Sequence, residues 1–141
     1  MLEVGDAVLS FSFIVGIDGH DIGTWRTCEL GGMTMANKAL KVGGVNGSRV
    51  QLRGELRWKP IVLTRYVNDD TPKVARWVSS MAARARPCTG HITAVARNGA
   101  EVVKFEFLNA RPIDWSLPRM DVAEVGAAVE TLKIAHDGLR S

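Results

Sequence analysis

Apolar and polar residues alternate along several short stretches of the chain, and a period of two is typical of strands with one buried face. In residues 10–18 the apolar side chains fall on one face, and residues 18–21 have the composition of a turn. The return stretch runs to about residue 30, with Trp25 on the face opposite Ile22. Residues 10–30 are therefore predicted to form a β-hairpin.

A second hairpin is predicted around Asn98-Gly99, a dipeptide that supplies the positive φ angles of a tight turn. Its two arms carry apolar residues that should face the same side of the sheet: Ile92, Ala94, Ala96, Val103, Phe105 and Phe107. Strands are also predicted at residues 59–67, at residues 109–118 and from about residue 127 to residue 136. Roughly seven or eight strands are expected in all.

One amphipathic helix is predicted over about residues 72–85. Thr71 has the residue type of an N-cap, and Pro72 suits the first helical position. The following apolar residues recur at helical spacing along one stripe, and Pro87 ends the helix.

The fold class is accordingly mostly β: a β-sandwich or split barrel with one flanking α-helix, in a single domain of residues 1–141. Residues 33–50 are predicted to be a long loop, since five glycines lie within residues 31–48. Loops of this length in compact domains usually have a function, so this one needs a partner or a role.

Composition narrows the class of protein only a little. Eighteen basic and fifteen acidic residues give a net charge of +3, which is weak for a dedicated nucleic-acid-binding protein. The first residues lack the basic start of a secretory signal, and no stretch has the roughly 20 apolar residues of a membrane-spanning helix. We therefore expect no direct membrane anchoring. Cys28 and Cys88 indicate isolated thiols in a reducing cytoplasm.

His136 and Asp137 raise the question of a catalytic pair, because a histidine oriented by a carboxylate is half of a hydrolase relay. Neighbouring side chains in a strand point to opposite faces, so these two are not expected to contact each other. No nucleophile motif accompanies them, and the three histidines lack the spacing of metal ligands. We expect no catalysis, no metal and no cofactor.

Two predicted strands carry polar residues on the face opposite their apolar residues. These polar residues are Lys104, Glu106, Thr131 and Lys133. A wet face of this kind lines a channel if copies of the sheet join edge to edge, which also removes the exposed strand edges. The four residues are candidates for a lumen.

Several segments resemble the T4-like phage tail tube protein family, over about residues 8–139. They are FSFIVGIDG, KPIVLTR before the predicted helix and, most specifically, FEFLNARPIDWSLP with ETLKIAHDGL. The family includes the inner tube subunits of contractile tails and of extracellular contractile injection systems. The resemblance implies a structural protein that forms hexameric rings closed by a continuous luminal β-barrel, stacked into a tube inside a contractile sheath.

The resemblance also implies partners: further copies of the chain, a sheath protein, baseplate or tube-initiator proteins, a cap or terminator, and effector cargo in the lumen. It implies assembly in the bacterial cytoplasm into a phage virion or an injection particle.

Two sets of residues receive roles from the resemblance. The resemblance implies that the long loop contacts neighbouring subunits and rings, through Met35, Asn37, Lys38, Lys41, Gly43, Gly44, Asn46 and Arg49. Structural roles fall to Asn109, Pro112, Trp115, Glu130, His136 and Gly138. From this second set, His136 is expected, together with its neighbour Asp137, to form hydrogen bonds at the end of a strand, and Gly138 to provide a turn.

Other interpretations stay open at this stage. The same fold serves the tube-initiator proteins that join the tube to the baseplate. A basic β-domain would bind nucleic acid through Arg76, Arg84 and Arg86 with the loop lysines, although no specific nucleic-acid recognition is expected. A hydrolase would use His136 or His91 with a distant acid.

Overall fold

The computed structural model describes residues 11–41, 49–119 and 128–141, which form eleven strands and one helix. The elements are β1 (Phe11–Ile17), β2 (His20–Trp25), β3 (Thr27–Glu29), β4 (Met33–Lys41), β5 (Arg49–Trp58), β6 (Ile61–Tyr66), α1 (Thr71–Ala83), β7 (Gly90–Ala96), β8 (Glu101–Phe107), β9 (Arg111–Ser116), β10 (Val129–Ala135) and β11 (Leu139–Arg140). The predicted mostly-β class with a single flanking helix is confirmed.

The strands form two larger antiparallel sheets and one separate hairpin. The five-stranded sheet has the order β11-β8-β7-β1-β2, and the four-stranded sheet has the order β3-β6-β10-β9. Strands β4 and β5 pair only with each other in the described part of the chain. Neither larger sheet closes on itself, so each has two strand edges.

One hydrophobic core lies between the two sheets and the helix. Val15 and Ile17 of β1 are buried in it together with Leu132 and Ile134 of β10, as their period-two spacing requires. Helix α1 packs against β2 and directs Trp77 into the same core.

The predicted strand after the first turn divides in two. β2 belongs to the five-stranded sheet and ends at Trp25, and β3 continues in the four-stranded sheet. Ile22 and Trp25 are both buried, so the prediction that they face opposite ways is wrong. Gly23, at φ +89°, lies between them in a conformation that interrupts the alternation.

The second predicted hairpin is confirmed as β7 and β8. Ile92 pairs with Phe105 and Ala94 pairs with Val103, so their side chains share one face. Ala96 keeps the face of Ile92 and Ala94, because β7 pairs with β1 without a register shift, and the irregularity after Ala94 adds Val102 to β8.

The helix begins at Thr71 and ends at Ala83, slightly before the predicted end at residue 85. The N-cap position belongs to Asp70 rather than Thr71, and Asp70 makes no side-chain capping bond. Thr71 is the first helical residue, and its hydroxyl group accepts the N–H of Asn68 and donates a hydrogen bond to Glu130 in the interior. The helix start thus depends on a contact with a distant strand.

Residues 33–41 and 49–58 form a long hairpin, which differs from the loop predicted over residues 33–50. Met33 pairs with Trp58 and Met35 pairs with Leu56. The composition of this segment suggested a loop because its glycines dominate residues 43–47, which lie outside the described residues. The strand pattern depends on pairing with β5, which no local signal indicated.

We predict that Gly90→Ala lowers the free energy of unfolding by about 1–3 kcal/mol, because a Cβ atom at residue 90 would overlap the ring of Phe107. Phe107 is fully buried and pairs with Gly90 across β7 and β8, so it has little room to move. Gly16→Ala on the neighbouring strand is the matched control, since its Cβ atom would meet nothing closer than 4.0 Å. Urea denaturation of both variants measures the difference, and equal stabilities would contradict the prediction.

Candidate assembly surfaces

A buried ion pair connects the two central strands of the four-stranded sheet. β6 and β10 place Arg65 and Glu130 directly opposite each other. Arg65 Nε donates to Glu130 Oε1 at 2.8 Å, and the two side chains are 2% and 0% exposed. Two charges removed from water this completely lower stability unless most of their other polar atoms also find partners.

Other atoms of this pair reach three further elements, whereas Arg65 Nη2 is buried with no hydrogen-bond partner among the described residues. Thr71 Oγ1, at the start of α1, donates to Glu130 Oε1 at 2.9 Å, and Trp115 Nε1 on β9 donates to Glu130 Oε2 at 2.8 Å. Arg65 Nη1 donates to the main-chain carbonyl of Ile22 on β2 at 2.7 Å. The pair therefore joins both sheets and the helix.

Arg65 was not among the predicted site residues, although Glu130 and Trp115 were. The guanidinium group of Arg65 lies 3.7 Å from the ring centroid of Trp25, a cation–π contact inside the core. The sequence could have indicated that Arg65 is buried, because it follows Ile61 and Leu63 at a spacing of two and so belongs to the same face of the strand.

His136 is buried at the end of β10 and holds the base of the β4–β5 hairpin. Its Nδ1 atom accepts the N–H of Gly138 at 3.2 Å, so Nε2 carries the ring proton and donates to the carbonyl of Lys59 at 3.1 Å. The ring packs against Trp58 and Phe107, with centroid distances of 5.6 and 6.2 Å. Both ring nitrogens are engaged in main-chain contacts.

Asp137 is exposed and bonds to the turn between β8 and β9. Asn109, at φ +52°, donates its side-chain amide to Asp137, and Arg111 Nη1 donates to Asp137 Oδ1 at 3.3 Å. The Asn109 hydrogen bond and the Arg111 charge hold the pKa of Asp137 below its usual value, so its carboxylate is ionised at neutral pH. Asp137 and the buried His136 thus have different partners.

Gly138 and Pro112 support the same corner of the molecule. Gly138 lies in the short connection between β10 and β11, where the chain passes from the four-stranded to the five-stranded sheet, and its φ angle is not positive. Its N–H bonds to the His136 ring, and its carbonyl accepts the N–H of Leu108 at 2.9 Å. Pro112 lies on β9 opposite Ile134, beside the register shift of that strand.

The four candidate lumen residues lie on two different sheets. Lys104 and Glu106 are on β8, whereas Thr131 and Lys133 are on β10. Each pair lies on the face of its sheet that points away from the common core, so the four residues do not face one shared space. Periodicity identified the wet side of each strand but not the sheet to which the strand belongs.

The exposed face of the five-stranded sheet carries charged residues at one end. Glu106 is bonded to Arg140 of β11, and His91 Nε2 lies 3.2 Å from Glu106 Oε2. The Arg140 hydrogen bond lowers the pKa of Glu106, which keeps this carboxylate ionised. Ile14, on the same face, is 46% exposed.

The exposed face of the four-stranded sheet carries a row of hydroxyl groups. Thr27 pairs with Thr64, Thr64 with Thr131, and Thr131 with Ser116, so one row crosses all four strands. The hydroxyl groups of Thr27 and Thr64 are hydrogen bonded to each other. The next position on β10 in this direction is Lys133, opposite Asp114.

The β4–β5 hairpin has one apolar face in the part nearest the sandwich. Met33, Met35 and Leu56 lie on this face and are 49%, 38% and 43% exposed. Residues 33–58 include five basic residues and one acidic residue, a net charge of +4, whereas the whole chain carries +3. The hairpin sequence thus accounts for all of the net positive charge.

The residues predicted to contact neighbouring subunits are spread along this hairpin. Met35, Asn37, Lys38 and Lys41 belong to β4, Arg49 begins β5, and Gly43, Gly44 and Asn46 lie outside the described residues. In residues 11–41, 49–119 and 128–141, no group of three or more His, Cys, Asp or Glu residues is arranged to hold a metal ion. The described helix is too short to cross a membrane.

Comparison with known proteins gives a family match over nearly the whole chain. The family model described as T4-like virus tail tube protein gp19 matches residues 9–140. No curated protein matches the sequence significantly.

Solved structures of injection-system proteins have a similar fold. A chain of the PVC extracellular contractile injection system, from its extended sheath–tube complex, is 17% identical, with a TM-score of 0.71 over 91% of this chain and 86% of that one. A chain of the anti-feeding prophage baseplate is 15% identical, with a TM-score of 0.62 over 93% and 91%. Hcp1 from Salmonella typhimurium is 12% identical, with a TM-score of 0.56 over 92% and 84%.

We predict that Glu130→Gln lowers the free energy of unfolding by about 3–5 kcal/mol, because it leaves the buried charge of Arg65 without a counter-charge. The double variant Arg65→Met with Glu130→Leu removes both charges and should lose clearly less stability than the single variant. Chemical denaturation of the unassembled subunit measures both changes. A double variant less stable than Glu130→Gln would show that the pair contributes net stability through its hydrogen bonds.

Proposed function

Because the chain belongs to the T4-like virus tail tube protein family, we propose that it is the structural subunit of the inner tube of a phage tail or contractile injection particle. The observation that supports this most strongly is the extent of the match, since residues 9–140 include every described strand and the helix. The subunit works by assembling with copies of itself and catalyses no reaction.

We propose that copies form hexameric rings whose sheets join edge to edge into one luminal β-barrel, and that rings stack into a tube. Both larger sheets are open at their edges, and pairing between copies satisfies the main-chain groups that an isolated subunit leaves exposed. The similar structures include a sheath–tube complex, a baseplate and a tube-terminating cap, which supports sheath, baseplate and cap partners for this chain.

We assign the lumen to the exposed face of the four-stranded sheet. Its hydroxyl row, from Thr27 to Ser116, places a group on every strand that can hydrogen bond to water in a channel. Lys133 adds a charge beside this row. On the five-stranded sheet, helix α1 packs against β2. Lys104 and Glu106 then belong to the outer wall of the tube.

The hairpin residues from Met35 to Arg49 are proposed to contact neighbouring subunits and rings. This role gives a reason for a long hairpin with little packing against its own sandwich.

A tube-initiator protein is the second candidate function, and the similarity to a baseplate chain supports it. Cargo passes through the lumen, and the tube assembles in the bacterial cytoplasm before it becomes part of the particle.

Negative-stain electron microscopy tests the assembly directly. The purified protein, alone and co-expressed with sheath and baseplate proteins, should give six-fold rings or hollow tubes. Monomers under every condition would contradict the proposal. Nucleic-acid binding by such monomers, weakening steeply with salt, would favour the basic-domain alternative instead.

The lumen assignment predicts where a label appears in an assembled tube. Thr131→Cys, in a Cys28→Ser background and coupled to a small maleimide–gold cluster, should place gold on the tube axis, because Thr131 lies in the hydroxyl row. Thr93→Cys is the matched control, on the exposed face of the five-stranded sheet, and should place gold outside the tube wall. The reverse pattern in micrographs would assign the lumen to the five-stranded sheet.

A further inference from the structure

Two sulfur atoms meet in the core where the chain leaves helix α1. Met81 lies in the last turn of the helix, and Cys88 lies in the segment between α1 and β7. Cys88 Sγ is 3.6 Å from Met81 Sδ, and the two residues are 1% and 8% exposed. A thiol and a thioether are the side chains that bind soft metal cations such as Cu(I). The pair therefore has the chemistry of a soft-metal site.

The distance between the two sulfur atoms suits one metal ion that binds both. Metal–sulfur bonds in zinc sites are about 2.3 Å long. Two bonds of about that length, set at a bent angle, span the 3.6 Å between Cys88 Sγ and Met81 Sδ. The main-chain carbonyl of Arg86 lies 3.5 Å from Cys88 Sγ and can accept the thiol proton. Hydrogen bonding of the thiol thus does not by itself require the second sulfur atom.

A buried indole group is an independent indication that the Cys88 sulfur is used as an anion. Trp77 is fully buried, and its Nε1–H has no hydrogen-bond partner in the part of the chain that the structure describes. Burial raises the pKa of the Cys88 thiol, and the Trp77 N–H opposes that shift as a hydrogen-bond donor to the sulfur atom. Buried donors without an acceptor are uncommon in folded proteins. A metal-bound thiolate supplies this acceptor.

The charge at the site favours a monovalent cation. One thiolate and one monovalent cation are neutral together, whereas a divalent cation would leave a net positive charge in the apolar core. The two charged side chains that act on Cys88 are Asp18 and Arg86, which have opposite signs. They leave this balance unchanged.

The turn between β1 and β2 gives the site a route from solvent. The main-chain N–H of Asp18 donates to the carbonyl of Thr89 at 3.1 Å, so this turn lies beside Cys88. Asp18 and Gly19 also line an open pocket of about 450 Å³. An exposed carboxylate at this position attracts cations toward the thiol.

We propose that Cys88 and Met81 bind a monovalent soft cation, which is Cu(I) in reducing surroundings. The cation replaces the thiol proton: the S–H bond breaks, a bond between the sulfur and Cu(I) forms, and the proton leaves to solvent. Met81 Sδ donates a lone pair as the second ligand, and no electron is transferred. The expectation of no metal was based on the spacing of histidines and cysteines, which does not consider methionine. The site lies within one subunit and does not depend on the tube function.

Silver binding tests the site, because Ag(I) is a monovalent soft cation that is stable in air and prefers the same sulfur ligands. The probe is silver nitrate in chloride-free buffer, added to purified Cys28→Ser protein in which Cys88 is the one remaining thiol. Native mass spectrometry should show one bound Ag(I) per chain. Competition with a chelator of known affinity then gives the dissociation constant.

Two substitutions distinguish a metal site from a packed thiol. In the Cys28→Ser background, Cys88→Ser should abolish silver binding. Met81→Leu keeps the volume and the apolar character of the side chain. It should weaken binding about tenfold or more, since even outer-shell groups of metal sites contribute about 10–100-fold in affinity. Met33→Leu is the matched control, because the same substitution at an exposed methionine should leave the affinity unchanged. Circular dichroism confirms that each variant is folded.

Several results would overturn the site. Equal affinities of Met81→Leu and its Cys28→Ser parent would show that Ag(I) reacts with the thiol alone. Absence of bound silver in the parent, or silver retained by Cys88→Ser, would also contradict the inference. Cu(I), supplied without oxygen in competition with bicinchoninate, should rank the variants in the same order. Zn²⁺ bound as tightly as Cu(I) would contradict the assignment to a monovalent cation. Tube formation is measured separately and is not decided by these results.

Discussion

The buried Arg65–Glu130 pair is the interaction on which the arrangement of the subunit depends. Two charges are removed from water in the middle of a sheet, and hydrogen bonds from α1, β9 and β2 surround them. If a strand were misplaced, a buried charge or hydrogen-bond donor would lose its partner, which lowers stability more than the loss of an apolar contact does. The pair therefore specifies how helix and sheets are arranged, and through them the position of each exposed face.

His136 performs a comparable task at the corner where the hairpin leaves the sandwich. Its ring joins the end of β10 to Lys59 and packs against Trp58, the last residue of β5. The Gly31-Gly32 turn constrains the other arm of the hairpin. Both arms are thus held at their base by residues of the sandwich, so a contact at the hairpin is mechanically connected to the sheet that we assign to the lumen.

Much of the fold could be predicted from local patterns, because turns, helix ends and period-two faces are local properties. Asn98-Gly99 correctly predicted the turn between β7 and β8, and Pro72 correctly predicted the start of the helix. The failures concern partners far apart in sequence. Arg65 and Glu130 meet across 65 positions, and no local rule pairs them. Likewise, the wet faces of Lys104 and Thr131 were visible along each strand, but the sheet that each strand joins is a tertiary property.

The uneven distribution of charge has a consequence for the direction of assembly. With +4 in residues 33–58, the β4–β5 hairpin sequence of every copy is strongly basic. Two copies that meet hairpin against hairpin bring these like charges together. Like charges brought together in this way are repelled. Electrostatics thus disfavours a junction in which two copies meet hairpin to hairpin, and an assembly without such junctions has two different ends.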